Sequence, residues 1–339
     1  MTRILYLRPP KITNPRHPAL GSPLFREIAR LADFDDHPYD PAMDAEALAE
    51  LIRGYDVLLT MWQTPPIPDS LANNPGRLRY ICNVTGEMKR FVSQALIESP
   101  FITVTNLGDA PAFNVAEGAM SLLLASLKSL SVHRDSQRAG GQQKPANLFP
   151  GSLYQLPVGI YGMGVIGRAF VEMLRPFQPR ITAFDPYVQQ MPEGVTRADS
   201  LEALFRTSKA VVIHAGLSDE THHSVTRELL ALLPDHSILV NTARGGIIDQ
   251  EALLAEIQSG RLRAALDVLE DGDTLPADHP ARQYPGLLIT SHCISNDEWS
   301  FDPLQLDRKA LVCLDNLQRF MAGQPLRFVM TPERYRLST

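Results

Sequence analysis

Three glycines, an aspartate, an arginine and a histidine are the residues whose types and spacing could do chemistry. Gly162, Gly164 and Gly167 stand as Gly-x-Gly-x-x-Gly inside Val158-Gly-Ile-Tyr-Gly-Met-Gly-Val-Ile-Gly-Arg168, with an apolar run before them and Arg168-Ala-Phe-Val-Glu-Met-Leu after. The order predicts a strand, a tight turn and a helix. The first glycine permits the turn, the second lets a pyrophosphate approach the backbone, and the third lets helix and strand pack closely. The phosphates would rest on the helix N-terminus, where free N–H groups and the dipole favour negative charge. Asp185 follows Gly167 by 18 residues, at the end of the apolar run Ile181-Thr-Ala-Phe. A carboxylate there can accept from adenosine ribose hydroxyls and repels a 2′-phosphate, which favours NAD over NADP.

Further polar residues stand where strands are expected to end. Ser237-Ile-Leu-Val-Asn-Thr-Ala-Arg244-Gly-Gly puts a guanidinium on a Gly-rich loop. Its fork can hold a carboxylate bidentately and turn an N–H toward a carbonyl. A solvated loop arginine is the bland alternative. Leu287-Leu-Ile-Thr-Ser-His292 puts an imidazole past another strand, suited to proton exchange with an alcohol or ketone near neutral pH. A surface or capping histidine would look the same in isolation. Ala264-Ala-Leu-Asp267 ends a strand on a carboxylate that could bond the carboxamide of nicotinamide or cap a turn. Open parallel sheets bind ligands beyond the carboxyl ends of their strands. Three independent accidents at three strand ends are harder to accept than one site.

The elements that must position these groups follow from the apolar runs. Ile4-Leu-Tyr-Leu, Val57–Thr60, Leu78–Cys82 and Ile102–Thr105 read as strands, with a helix over Phe25–Leu31. Asn114–Ser131 reads as one long helix, and Arg138–Pro150 as a loop or arm. From Gly159 the alternation restarts with strands at Gly159–Tyr161, Ile181–Phe184, Ala210–His214, Ser237–Asn241, Ala264–Asp267 and Leu287–Thr290, and a helix over Leu304–Ala322. Such alternation predicts parallel sheets with helical crossovers. The last helix is expected to return to the first domain and make it discontinuous.

Bulk properties narrow the class. The 339 residues suffice for about two domains. Hydrophobic content of 44% and charged content of 21% are ordinary for a globular protein. A formal net charge of -6 argues against nucleic acid as a partner. Cys82, Cys293 and Cys313 are an odd number without metal spacing, so no metal and a reducing, cytoplasmic compartment are expected. The N-terminus reads as a first strand rather than a signal peptide, and no membrane span is expected.

Leu239-Val-Asn-Thr-Ala-Arg-Gly-Gly-Ile-Ile-Asp249, Ser259-Gly-Arg-Leu-Arg-Ala-Ala-Leu-Asp-Val268, Leu288-Ile-Thr-Ser-His292 and Asn114-Val-Ala-Glu117 resemble the D-isomer-specific 2-hydroxyacid dehydrogenase family, from about Val57 to Phe328. The resemblance implies an α/β fold of two Rossmann-like domains with parallel sheets and an active cleft between them. We place the boundaries at 1–105 plus 299–339 for a substrate-binding domain and 106–298 for an NAD-binding domain. The resemblance implies that Arg244 binds the substrate carboxylate and polarises its carbonyl, and that His292 is the acid/base. It implies that NAD lies on Gly162, Met163, Gly164, Val165, Ile166, Asp185, His214, Thr242, Ala243 and Asp267. Backbone N–H groups of Val84-Thr85-Gly86-Glu87 would cradle the carboxylate, with Trp62 lining the pocket. A homodimer through the long helix and the arm is also implied.

The chain departs from the family pattern around the histidine's carboxylate partner. Relatives carry a glutamate five residues after the strand-end aspartate; here that position is Gly272. A one-residue insertion aligns Asp273 with it, while Glu270 and Asp271 compete. Pro is missing before His292 and the usual glycines after it, where the chain reads Ser291-His-Cys-Ile-Ser295. The expected function is NAD-dependent hydride transfer at C2 of a small 2-oxo or 2-hydroxy acid. The alternative is an NAD-sensing binding protein or co-repressor on the same fold. Phosphonate or phosphite oxidation would lean on Lys89 and Arg90 alone. Trp62, Met88 and Trp299 could line an apolar side-chain pocket or belong to the core.

Overall fold

The computed structural model describes residues 1–11, 22–85, 88–141, 149–270, 272–295 and 306–337. The chain divides into two units, Met1–Pro111 with Asp297–Thr339, and Ala112–Asn296. These junctions lie a few residues from the expected 105/106 and 298/299.

The first unit opens with β1 (Arg3–Arg8), α1 (Pro23–Leu31), β2 (Asp33–Pro38), α2 (Ala45–Arg53), β3 (Val57–Thr60), β4 (Tyr80–Asn83), α3 (Gln94–Ile97) and β5 (Thr103–Thr105). The sheet order is β2-β1-β3-β4-β5, all pairs parallel. Its central strands are apolar and fully buried, as a sheet covered on both faces requires. Neither β2 nor α2 was expected from the sequence. Asp33-Phe-Asp-Asp-His-Pro38 lacks an apolar run because it is an edge strand, half-buried at most positions. Pairing with β1, from Arg3↔Asp33 to Arg8↔Pro38, sets its conformation.

The second unit begins with α4 (Ala112–Leu127) and α5 (Leu130–Arg138). The single helix expected over Asn114–Ser131 is therefore two, bent by 59°. Ser129 adopts the left-handed conformation, φ 52° and ψ 40°, which a right-handed helix cannot propagate. Composition changes there too: α4 buries eight residues and α5 none. Among the described residues no single helix is long and apolar enough to cross a membrane; this bent pair passes on length and composition together. α4 is largely a core helix, packed against α6 (Val165–Leu174).

The sheet of this unit holds β6 (Pro157–Tyr161), β7 (Arg180–Phe184), β8 (Val195–Arg197), β9 (Ala210–Ile213), β10 (Ile238–Asn241), β11 (Arg263–Leu266) and β12 (Leu287–Ile289). Their order is β12-β11-β10-β9-β6-β7-β8, all pairs parallel. The helices α7 (Leu201–Thr207), α8 (Arg227–Ala231) and α9 (Gln250–Gln258) form crossovers. From β6 the chain builds outward through β7 and β8, then returns to β9 and builds the other way. The strand order thus reverses between β6 and β9, where a doubly wound sheet opens its ligand crevice.

The chain then returns to the first unit with α10 (Arg308–Met321) and α11 (Pro332–Leu337). Asp307 caps α10 by accepting from the Ala310 N–H. Its apolar face, Ala310, Cys313, Leu314 and Leu317, joins the cluster of Tyr80 and Cys82. The helix is shorter than the expected Leu304–Ala322, and 304–305 lie outside the described residues.

Candidate functional site

The glycine turn lies at the carboxyl end of β6. Gly162 has φ +97°, and a Cβ there would meet the Ala215 backbone nitrogen at 2.4 Å. A Cβ on Gly167 would stand 2.3 Å from the Gly162 carbonyl oxygen, so α6 can approach the turn only without one. Gly164 differs. Its Cβ would meet nothing within 4 Å, and as N-cap of α6 it leaves the first N–H groups without a side-chain acceptor. The space and the free donors suit a pyrophosphate. Met163 is buried, whereas Val165 is 54% exposed and Ile166 half-buried.

Asp185 stands just past β7. Its carboxylate accepts from the Met163 N–H at 2.7 Å and the Tyr187 N–H at 2.9 Å. These bonds fix its orientation beside the turn and leave lone-pair sites for ribose hydroxyls. His214 follows β9, its N–H donating to the Tyr161 carbonyl at 2.7 Å. Among the described residues neither ring nitrogen has a partner, and both are buried although part of the residue is exposed. Burial pushes its pKa down to about 3. The Thr242 hydroxyl past β10 is likewise buried without a partner. Unpaired buried polar atoms need an explanation, and at the carboxyl ends of β9 and β10 a bound dinucleotide supplies one. The residues present therefore fit NAD.

Arg244 lies three residues past β10, on a turn shaped by buried Asn241. The Asn241 side chain accepts from the Ala243 N–H at 3.0 Å and donates to the Arg244 carbonyl at 2.9 Å. Arg244 itself donates from Nη1 to the Ala243 carbonyl at 2.7 Å. Sequence reasoning passed over Asn241; an Asn leading into a Gly-rich turn was the available signal.

His292 lies past β12 with its Nδ1 2.8 Å from Asp273 Oδ2. Of the three competing carboxylates, the structure brings Asp273 to this imidazole. Glu270 instead pairs with His223, and Asp271 lies outside the described residues. Ser291 and His292 both have positive φ, 50° and 56°. Asp267, 2% exposed, holds this unusual loop. Its Oδ1 accepts from the Thr290 hydroxyl at 2.6 Å, the Cys293 N–H at 2.9 Å and the Ile294 N–H at 3.1 Å. Its carbonyl accepts from the His292 N–H. The strand-end aspartate, expected to face the cofactor, thus organises the histidine loop. Thr290 was also missed.

In the first unit, Thr85 is fully buried and its hydroxyl donates to Asn83 Oδ1 at 2.9 Å, while Asn83 Nδ2 donates to the Thr85 carbonyl at 2.9 Å. This network shapes the start of the expected carboxylate loop. Gly86, Glu87 and Trp299 lie outside the described residues. Trp62 is half-buried. Met88 is 1% exposed in the core cluster with Leu58 and Ile81, so it belongs to packing rather than a pocket wall. Lys89 is exposed and donates to the Arg336 carbonyl, which gives the phosphite reading no support.

The NAD binding domain of the D-isomer specific 2-hydroxyacid dehydrogenases matches residues 120–293. The chain belongs to this family. It is 31% identical over 252 residues to a D-3-phosphoglycerate dehydrogenase of Methanocaldococcus jannaschii, covering 73% of this chain and 47% of that relative. The chain thus spans about half the length of that relative. It is 31% identical over 245 residues to a glyoxylate reductase of Thermococcus gammatolerans, covering 69% of this chain and 72% of the relative. Among solved structures, a 2-hydroxyacid dehydrogenase from Ketogulonicigenium vulgare Y25 matches with TM-score 0.77 at 23% identity, over 98% of this chain and 99% of that one. This likeness concerns the fold, an α/β architecture with parallel sheets.

Proposed function

We propose that this chain is an NAD-dependent oxidoreductase that acts at C2 of a small D-2-hydroxy acid or its 2-oxo counterpart. The observation that carries the reading is the His292–Asp273 pair, Nδ1 to Oδ2 at 2.8 Å, beyond β12 of the sheet that bears the glycine turn. The glyoxylate reductase of Thermococcus gammatolerans supports a small 2-oxo acid as substrate.

When bound, NAD supplies or accepts the hydride. The Gly162–Gly167 turn and the α6 N-terminus would hold its pyrophosphate, and Asp185 would take the ribose hydroxyls. His214, Thr242 and Asp267, beyond the neighbouring strands of the sheet, would help to hold it. The guanidinium of Arg244 holds the substrate carboxylate and directs an N–H at the C2 oxygen, which withdraws charge from the carbonyl in reduction. With Nδ1 of His292 engaged by Asp273, the exchanged proton sits on Nε2. In reduction Nε2 gives it to the C2 oxygen; in oxidation Nε2 removes it. Asp273 fixes the ring orientation and stabilises the imidazolium. Asp267 and Thr290 hold the loop so that the ring stays in place. An NAD sensor without turnover would be favoured by a histidine lacking its carboxylate, and Asp273 stands at His292.

Incubation with NADH and a panel of 2-oxo acids that includes glyoxylate and hydroxypyruvate tests the proposal. Oxidation of NADH with at least one of them is the expected result; NADH binding without oxidation by any would replace the enzyme reading with the sensor.

We read the assembly as a homodimer in the cytoplasm. Leu130 and Phe149 are 55% and 41% exposed and α5 buries none of its residues, which supports a second copy covering this face. The three cysteines are free thiols, in keeping with a reducing compartment. Light scattering at the mass of one chain would overturn the dimer.

A further inference from the structure

A second cluster of histidines and a carboxylate lies outside the site described above. Donor atoms of His222, His223 and Glu270 all lie within 4.8 Å of one another, and all three residues are exposed. In extended backbone, successive side chains point to opposite faces. Here the two imidazoles instead stack, with centroids 4.1 Å apart and planes at 27°. His223 has φ 48°, in the left-handed region. Two backbone bonds hold that conformation: the His223 N–H donates to the Gly246 carbonyl at 2.8 Å, from outside the loop, and the His222 N–H to the Ser218 carbonyl at 2.8 Å, within it.

The carboxylate is positioned as firmly. The Glu270 N–H donates to Gln250 Oε1 at 3.0 Å. The backbone at Leu269–Glu270 lies so close to Gly245 that a Cβ there would meet the Leu269 carbonyl carbon at 2.0 Å. Two separate segments, each fixed by the backbone, thus present two imidazoles and one carboxylate to a common point. Between His223 Nε2 and Glu270 Oε1 a short hydrogen bond occupies the line that an ion would take.

We propose that His222, His223 and Glu270 form a binding site for a zinc-class divalent cation. Imidazole nitrogen and carboxylate oxygen are ligands that zinc accepts, with bonds of about 2.0–2.2 Å. Donors on a tetrahedral ion of that size stand about 3.4 Å apart, so exposed side chains need only modest rotations from their present spacing. The ion replaces the His223–Glu270 hydrogen bond, and solvent completes its coordination. Because imidazoles bind metal in the neutral form, affinity falls as the solution becomes acidic. The bound ion bridges the 218–224 loop to the 269–270 segment. Those two segments hold Gly246 and Gly245, which follow Arg244, so the ion braces the turn that carries the arginine. The cysteines carry no metal spacing; this site arises from two adjacent histidines and an acid 47 residues beyond the second.

Zinc titration into chelator-treated full-length protein, read by calorimetry and thermal melts, tests the site. Wild type is expected to bind one ion per chain and to gain a saturable rise in Tm. His222→Ala and Glu270→Gln should each weaken binding by at least about tenfold and lose the rise in Tm. His222→Gln serves if the alanine variant is unfolded by circular dichroism. His292→Asn removes the imidazole of the other histidine–carboxylate pair and should bind zinc as wild type does. The proposal is overturned if wild type binds no zinc, if His222 and Glu270 variants bind as tightly as wild type, or if His292→Asn abolishes binding.

Discussion

At the scale of single residues, the histidine loop shows why spacing singled out His292 and left its partner open. His292 was legible because an imidazole followed an apolar strand. Its partner was open because three carboxylates crowd Glu270–Asp273 and a one-residue insertion displaces the family pattern. Of the two described carboxylates, Glu270 has its N–H on Gln250 and its carboxylate on His223, while Asp273 reaches Nδ1 of His292. Asp273→Asn keeps the shape and removes the charge. It is expected to lower kcat/KM for 2-oxo acid reduction by about ten- to a hundredfold, less than the loss of the general acid itself would cost, because the imidazole remains. Glu270→Gln, assayed in chelator-treated protein so that no ion braces the Arg244 turn in either form, should stay within about twofold, since it touches no reacting atom. Steady-state kinetics on the two variants check both, and equal losses would mean that Glu270 also serves the reaction. Arg244→Lys keeps the charge and loses the fork. NADH affinity should remain near wild type while kcat/KM falls by at least about tenfold; a lysine enzyme of normal efficiency would make Arg244 a loop residue.

At the scale of elements, the β6–α6 unit was legible because glycine is demanded there for three different physical reasons, and the three sites separate them. Gly164 has φ -70° and open space around its missing Cβ. Gly164→Val should therefore melt near the wild-type temperature yet bind NADH at least about tenfold more weakly, because the side chain enters the phosphate space. Gly167→Ala puts a Cβ 2.3 Å from the Gly162 carbonyl and should lower Tm as well. Equal Tm losses for the two would show that Gly164 is structural. The Asp185 carboxylate should give NADH at least about a tenfold advantage over NADPH in kcat/KM; parity would remove it from the ribose. The elements the sequence missed have local causes. β2 is polar because it is an edge, and its conformation comes from β1. The α4–α5 break rests on the left-handed Ser129, which no periodicity announces. The double left-handed step at Ser291–His292 was similarly invisible, because Asp267 holds it from 23 residues or more away.

At the scale of the whole molecule, a discontinuous first unit was readable because an amphipathic segment followed the last strand of the second. What could not be read was the burial of polar atoms against space. His214 illustrates this, and it ties the cofactor side of the sheet to stability. Burial lowers its pKa to about 3, whereas an unfolded chain protonates a histidine near 6.5. The unfolded state therefore takes up the proton first as pH falls. The stability that the neutral ring allows is complete above about pH 6.5 and is lost progressively toward pH 3. His214→Leu breaks no bond to the protein at the ring nitrogens. Urea melts should show the variant losing less stability on acidification, by up to roughly 1.4 kcal/mol per pH unit between about pH 6 and 4. Parallel losses in both proteins would show that the ring is solvated. The central claim is that His292, oriented by Asp273, passes a proton to a 2-oxo acid while NADH is held by the glycine turn. The most direct measurement compares NADH oxidation by glyoxylate in wild type and His292→Asn, with NADH binding followed in both. Wild type should turn over, and the variant should bind NADH normally while losing at least about a hundredfold in kcat. Equal turnover in the two proteins, or none in wild type with any 2-oxo acid, would contradict the claim.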